Sequence, residues 1–316
     1  MAAALVLLLL GIALGLYVLI YYIFIRGRQC VSDCSLAGKT VIVTGANIGI
    51  GKMTALDMAK RGARVILACR VKETGESAAY DIRTLSGNNQ VLFMKLDLAS
   101  IASIKSFCKT FLSSEPRLDI LINNAGIEGK GKTEDGFNLV FGVNHLGHFL
   151  LTHLLLDRLK QCSPSRIVVL ASSAHSRGRI DFKNLNSSGE SWMEIIQAYC
   201  DSKLANVLFA RELANRLQGT DVTCYAVHPG VVLTNLGRNV PQWILLPVYP
   251  IAYLLLKTPM EGAQTSIYCA VQDGIEMLSG RYFADCQVQQ VKAHARDDAV
   301  AKKLWEVSED LLELTK

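Results

Sequence analysis

The chain has 316 residues, half of them hydrophobic, with 33 Lys+Arg against 28 Asp+Glu for a net charge of +5. That length supports a large core, and the small, scattered basic excess, with no long basic run, argues against nucleic acid as a partner. Nine cysteines, an odd number without a C-x-x-C pair or metal-ligand spacing, read as reduced thiols facing a reducing compartment, with no metal site.

Ala2 to Ile25 is an almost unbroken apolar stretch without charge. About 20 such residues span a bilayer. The stretch lacks the basic start and short apolar core of a cleaved signal. Tyr21 and Tyr22 followed by Arg26 and Arg28 fit an uncleaved anchor. The basic flank lies C-terminal, so the expectation is a lumenal N-terminus and a cytosolic domain, first at the endoplasmic reticulum. Gly11 and Gly15 form a G-x-x-x-G face that could pair two anchors into a homodimer. Residues 26–37 read as a linker, with Cys30 and Cys34 as candidates for lipidation, and residues 38–316 as one catalytic domain.

From Gly38 onward strands and helices alternate. Thr40 to Val43 is a β-branched run suited to a strand buried on both faces. Further strands are expected at 63–69, 91–98, 118–123, 167–171, 222–227 and 280–283, with helices at 52–60, 101–114, 137–159, 199–217 and 296–315. The repeat predicts an α/β fold, a doubly wound parallel sheet of about seven strands.

Gly45, Gly49 and Gly51 punctuate the turn between the first strand and its helix, in G-x-x-x-G-x-G spacing. Strand, glycine turn and helix N-terminus place backbone N–H groups where a diphosphate can sit, and a Cβ would block that approach. Asn123-Asn124-Ala125-Gly126 closes the fourth strand with small residues that let a backbone approach a ribose.

Tyr199 and Lys203 are four apart and share a helix face. A tyrosine ordinarily ionises near pH 10. A lysine charge about 5 Å away, at an effective dielectric near 20, is worth roughly 3 kcal/mol, or about two pKa units, in favour of the phenolate. Tyr199 is thus expected to act as a general acid/base on a carbonyl or alcohol oxygen. Ser172 follows a strand at the carboxyl edge of the sheet, where its hydroxyl can bond the same oxygen; Ser173 is its rival. Asn144 lies mid-helix, where asparagine is disfavoured, so a polar role such as holding a water near Lys203 is expected. His145, His148 and His153 on that helix read as core or surface histidines.

The TGANIGIG turn, Asp97, NNAG, Asn144, Ser172, YCDSK and HPGVVLT together resemble the short-chain dehydrogenase/reductase superfamily. ILACR, GRIDFKNLN, YCDSKLANVLFARELA and GRYFADC resemble its membrane-anchored retinol dehydrogenase branch. The resemblance covers about residues 38–284 and implies a Rossmann-type fold and a catalytic tetrad of Asn144, Ser172, Tyr199 and Lys203. It implies cofactor contacts from Gly45, Asn47, Ile48, Gly49, Ile50 and Gly51 in the turn, and from Arg70, Asp97 and Leu98 along the adenosine end. Toward the nicotinamide it implies Asn124, Ala125, Gly126, Tyr199, Lys203, Pro229, Gly230 and Thr234. Asp97 would contact adenine. Ile48 departs from the branch, which often carries a small polar residue there.

An acidic residue ending the second strand would bind the ribose hydroxyls and repel a 2′-phosphate. This chain has Arg70 there, with Lys72 two positions on, so NADP(H) is expected over NAD(H). Residues 231–259 fall where the family places its substrate lid, and their apolar, proline-broken sequence implies a lipophilic substrate or contact with a bilayer. The expected activity is NADP(H)-dependent interconversion of a lipophilic aldehyde or ketone, retinoid-like or fatty, with its alcohol. The alternative is a membrane-tethered nucleotide-binding scaffold. Asn186-Ser187-Ser188 is the single N-x-[ST] sequon and reports on topology, since only a lumenal domain could be glycosylated there.

Overall fold

Strand β1 (Thr40–Thr44) is buried at all five positions. It lies between β2 (Arg64–Cys69) and β4 (Ile120–Asn123), with Val41 opposite Val65 on one side and Ile120 on the other. With β3 (Val91–Lys95), β5 (Ser165–Leu170), β6 (Val222–His228), β7 (Tyr282–Ala284) and β8 (Gln287–Gln289), the strands form one sheet in the order β3-β2-β1-β4-β5-β6-β7-β8. All pairings are parallel except β7–β8. The fold, a computed structural model, is described over residues 2–186, 191–232 and 256–314. It is a Rossmann-like α/β domain in which the strand order reverses between β1 and β4.

Alternation along each strand sends side chains into two cores. Ile42, Leu121, Ile167 and Val169 face the layer of α4 (Ile101–Ser114), α5 (Leu139–Gln161), α6 (Trp192–Arg216) and α8 (Asp298–Leu311). Val41, Val43, Ile122 and Val168 face α2 (Gly49–Lys60), α3 (Lys72–Ser86) and α7 (Pro259–Val271). Burial on both faces is why the strands read as apolar runs.

Three local features go beyond the sequence reading. Helix α6 begins at Trp192, well before Tyr199, because Ser191 and Glu194 form a reciprocal capping box. Thr258 and Glu261 do the same for α7, with Pro259 in its first turn. The short antiparallel strand β8 adds an eighth strand beyond the seven expected.

Helix α1 (Ala2–Ile20) precedes the domain, and Leu9, Ile12, Leu14 and Leu16 on it are exposed. Among the described residues, the helix long and apolar enough to cross a membrane by length and composition is α5, which is largely buried in the core. Residues 26–37, expected as a linker, lie along the domain. Arg28 N donates to Asp285 Oδ1 (2.8 Å), Cys30 N to Gln264 Oε1 (2.9 Å), and Arg61 Nη1 to Ser32 O (2.8 Å). Tyr21 Oη donates to Glu261 Oε1 at 2.5 Å, tying the end of the apolar segment to α7. Side-chain carboxylates and amides on α7 and the β7–β8 turn satisfy backbone groups of the strap, a pattern that apolar periodicity does not encode. All nine cysteines are free; Cys30 and Cys34 are half-buried in this strap.

Candidate active site

The reversal of strand order opens a cleft of about 560 Å³ past the carboxyl ends of the central strands. Its first half is built of backbone. Gly45 (φ +63°) and Gly49 (φ +58°) take left-handed conformations that make the turn after β1. A Cβ on Gly51 would come within 2.4 Å of both Gly45 O and Asn124 Nδ2. Ile48 is the N-cap of α2 in extended geometry (φ −146°, ψ 167°) and offers the first turn no side-chain acceptor. The glycine turn and these N–H groups border the cleft through Gly45, Asn47, Ile48, Gly49, Ile50 and Gly51. This is a cradle that fits a dinucleotide diphosphate.

Thr44 joins that cradle to the next strand. Its Oγ1 accepts from Asn124 N and Ala125 N, each at 2.9 Å, and Asn124 Nδ2 donates to Thr44 O (2.7 Å). Thr44 Oγ1 also meets His148 Nε2 at 2.9 Å, while His148 Nδ1 lies 3.1 Å from Asn144 O. Burial pushes His148 down to about 4, so its ring is neutral. A proton on Nδ1 then serves Asn144 O, and Nε2 accepts from the threonine hydroxyl. His145, pushed down to about 3 by burial, contacts Ser308 Oγ at 3.1 Å. Both histidines are core groups, and no cluster of metal-ligating side chains occurs among the described residues.

At the adenosine end Arg70 is exposed and lines the cleft beside Val71 and Thr74. Asp97 and Leu98 line the facing wall, with Asp97 Oδ1 accepting from Ala99 N (2.9 Å). Lys72, expected to support Arg70, begins α3, pairs with Glu76 at 3.8 Å and is not among the cleft's lining residues. Among the described residues, Arg70 is the cation that lines the cleft beside Val71 and Thr74.

The other half carries ionisable side chains. Lys203 and Tyr199 project from α6 into the cleft, with Lys203 Nζ 5.5 Å from the centre of the tyrosine ring. Lys203 Nζ donates to Leu170 O (3.2 Å), and burial pulls the ammonium down to about 8. Tyr199 departs from expectation. Burial, reinforced by the Glu128 carboxylate, pushes the phenol up to about 12; its hydrogen bond with Ser172 works the other way. Desolvation of the phenolate is the largest cause, an effect that the helix spacing does not record. Ser172 is half-buried with Oγ accepting from Ala174 N (3.2 Å), while Ser173 is exposed, so the structure brings Ser172 to Tyr199.

Asn144 sits in a π-helical turn of α5, Gly142–Leu146, and is fully buried. Its Oδ1 accepts from Ile127 N (2.8 Å), and its Nδ2 donates to Ile127 O (3.0 Å) and Ser202 Oγ (3.0 Å). The amide therefore fastens the segment after β4. Ala125, Gly126 and Pro229 line the cleft. Gly230 (φ +88°) lies against Lys257 and is not among the lining residues. Thr234 and most of the lid lie outside the described residues; the flanks of that segment meet where Val232 bridges Lys257. Glu128, Ile127, Val143 and Pro259 also line the cleft, and motif reading did not single them out. An acid two residues past NNAG was the legible signal for Glu128.

Residues 39–245 match the family model described as short chain dehydrogenase. The chain is 59% identical over 302 residues to human dehydrogenase/reductase SDR family member 13, covering 95% of this chain and 80% of that protein. It is 53% identical over 289 residues to mouse retinol dehydrogenase 11, covering 90% of each. Among solved structures, an uncharacterized protein from Mycobacterium paratuberculosis superposes with a TM-score of 0.72 at 36% identity, over 91% of this chain and 98% of that one. The RhlG/NADP active-site complex of Pseudomonas aeruginosa superposes at 0.63 with 27% identity, over 79% and 95%. The cleft, its glycine cradle and its Tyr199–Lys203 pair thus stand in a chain that belongs to the short-chain dehydrogenase/reductase family, an NAD(P)-binding oxidoreductase homologous to the retinol dehydrogenases.

Proposed function

We propose that this chain is an NADP(H)-dependent oxidoreductase that interconverts a lipophilic aldehyde or ketone with its alcohol at a membrane surface. The observation that carries the reading is the meeting of Tyr199 and the buried Lys203 in the wall of the cleft, with Ser172 hydrogen-bonded to Tyr199. A bound nicotinamide supplies or takes up the hydride. The cradle from Gly45 to Gly51 would hold its diphosphate, and Arg70 the 2′-phosphate. Tyr199, kept neutral by burial, is in the form that gives a proton to a carbonyl oxygen, and Ser172 orients that oxygen. Lys203 keeps a positive charge beside the ring below about pH 8. Asn144 holds the wall of the cleft through Ile127.

The name of the retinol dehydrogenase relatives supports a retinoid-like substrate, and the apolar 231–259 sequence fits a lipophilic one, retinoid or fatty. Helix α1, 19 residues at about 1.5 Å each, is close to a bilayer core in length. Arg26 and Arg28 after it favour a cytosolic catalytic domain, first at the endoplasmic reticulum. Gly11 and Gly15 leave an open face for a second anchor helix. In the full chain in detergent, Tyr199→Phe should lower turnover of retinal or a long-chain aldehyde at least about a hundredfold while NADPH still binds. Undiminished turnover would remove the proposal. Protease added to intact microsomes should digest the domain; protection, with a glycosidase-sensitive mass shift lost in Asn186→Gln, would reverse the orientation.

A further inference from the structure

Glu128 lies two residues beyond Gly126, in the segment that follows β4, and lines the cleft together with Tyr199 and Lys203. The segment is pinned next door, where Asn144 bonds both the N–H and the C=O of Ile127. Gly126 brings the same stretch against the lysine: a Cβ there would lie 3.3 Å from Lys203 Nζ. Glu128 is half-buried, and desolvation raises its pKa while the Lys203 ammonium pulls it down. Glu128 thus brings a carboxylate into the wall that it shares with Tyr199 and Lys203, where ionisation costs desolvation.

The influence runs outward as well. After burial, Glu128 is the largest influence holding Tyr199 in its neutral form, and it also supports the positive charge of Lys203. The other ionisable groups around this pair come from three elements. On α6, Cys200 adjoins Tyr199 and its thiol is raised by burial. Asp201 on the same helix accepts from Arg179 N and Gln197 Nε2 and acts on Cys200. On α5, His148 senses Lys203 but is neutral. Arg177, beyond β5, acts on Cys200. Among the described residues, Glu128 is thus the carboxylate that bears on both Tyr199 and Lys203.

We propose that Glu128 is a positioning residue for proton transfer, a cleft carboxylate whose charge keeps the protons on both Tyr199 and Lys203. The proposal rests on the acid–base reading of Tyr199. With Glu128 ionised, the phenol stays neutral and the lysine cationic, the pair needed to protonate a carbonyl oxygen. Without that charge, both groups give up their protons at lower pH.

The test uses the full chain in detergent and two pH profiles. One is NADPH binding by its fluorescence, which needs no substrate. The other is kcat/KM for NADP-dependent oxidation of a long-chain primary alcohol. Glu128→Gln should move both midpoints to lower pH by about one unit, the scale of a lost charge several ångströms away. Glu128→Asp, which keeps the charge, should restore most of the shift. Superimposable profiles for wild type and Glu128→Gln would overturn the proposal. So would equal shifts in Gln and Asp variants, or loss of the fold in Glu128→Gln, which would make Glu128 a structural residue. Turnover surviving in Tyr199→Phe would instead sink the acid–base reading, and the binding profile would still report on Lys203.

Discussion

The two halves of the cleft are made of different material. The cradle half is backbone: left-handed glycines, the open first turn of α2, and the Thr44 hydroxyl gathering two backbone N–H groups. The other half is side chain: a buried lysine, a phenol, a half-buried carboxylate and a neutral histidine behind them. Backbone dipoles do not titrate, so the cradle should respond to shape and hardly to pH. Buried ionisable groups respond to every neighbouring charge. One half is therefore broken by volume, the other by charge.

The largest effect is expected from volume. Gly51→Val places atoms where even a Cβ meets Gly45 O and Asn124 Nδ2 at 2.4 Å. It should cost on the order of 3 kcal/mol in stability and abolish NADPH binding, read by urea unfolding and fluorescence titration. Retained binding would show that the turn yields easily and would blur the contrast.

A charge effect of similar size should appear on acidification. His148 is held at about 4 in the fold, whereas an exposed histidine titrates near 6.5. The unfolded chain binds the extra proton in that window, so stability rises with pH across it and is lost as pH falls from about 6.5 toward 4, by on the order of 3 kcal/mol. His145 and His228, both pushed down by burial, add limbs of their own. Urea midpoints across this range should fall less steeply in His148→Gln than in wild type. An unchanged slope would mean that His148 is charged or hydrated in the fold.

Arg70→Asp probes a place where the cradle half carries a charged side chain. It should weaken NADPH by at least about 2 kcal/mol, the scale of a charge-assisted pair, and NADH much less. Equal losses for both cofactors would show that Arg70 does not read the 2′-phosphate. The smallest expected effect is at Ile48. Its backbone already has N-cap geometry without a capping side chain, so Ile48→Ser should raise stability by about 1 kcal/mol. A gain in melting temperature that disappears with saturating NADPH would indicate that serine and diphosphate compete for the same N–H groups.

The sequence by itself determined the parts of this protein that depend on local pattern. β-Branched runs marked the parallel strands because strands buried on both faces need apolar residues at every position. The Gly45–Gly51 spacing marked the cradle because only glycine permits that turn and that approach. The Tyr199–Lys203 spacing placed two groups on one helix face because a helix repeats every 3.6 residues. Only the tertiary structure decided what those groups are. It half-buried Tyr199 in a cleft that Glu128 also lines, and so raised the phenol that spacing alone would acidify. It turned Lys72 toward Glu76, leaving Arg70 at the cleft, and folded the supposed linker onto α7. It also engaged the Asn144 amide with Ile127. Desolvation and hydrogen-bond partners come from residues far apart in the chain, and no local pattern records them.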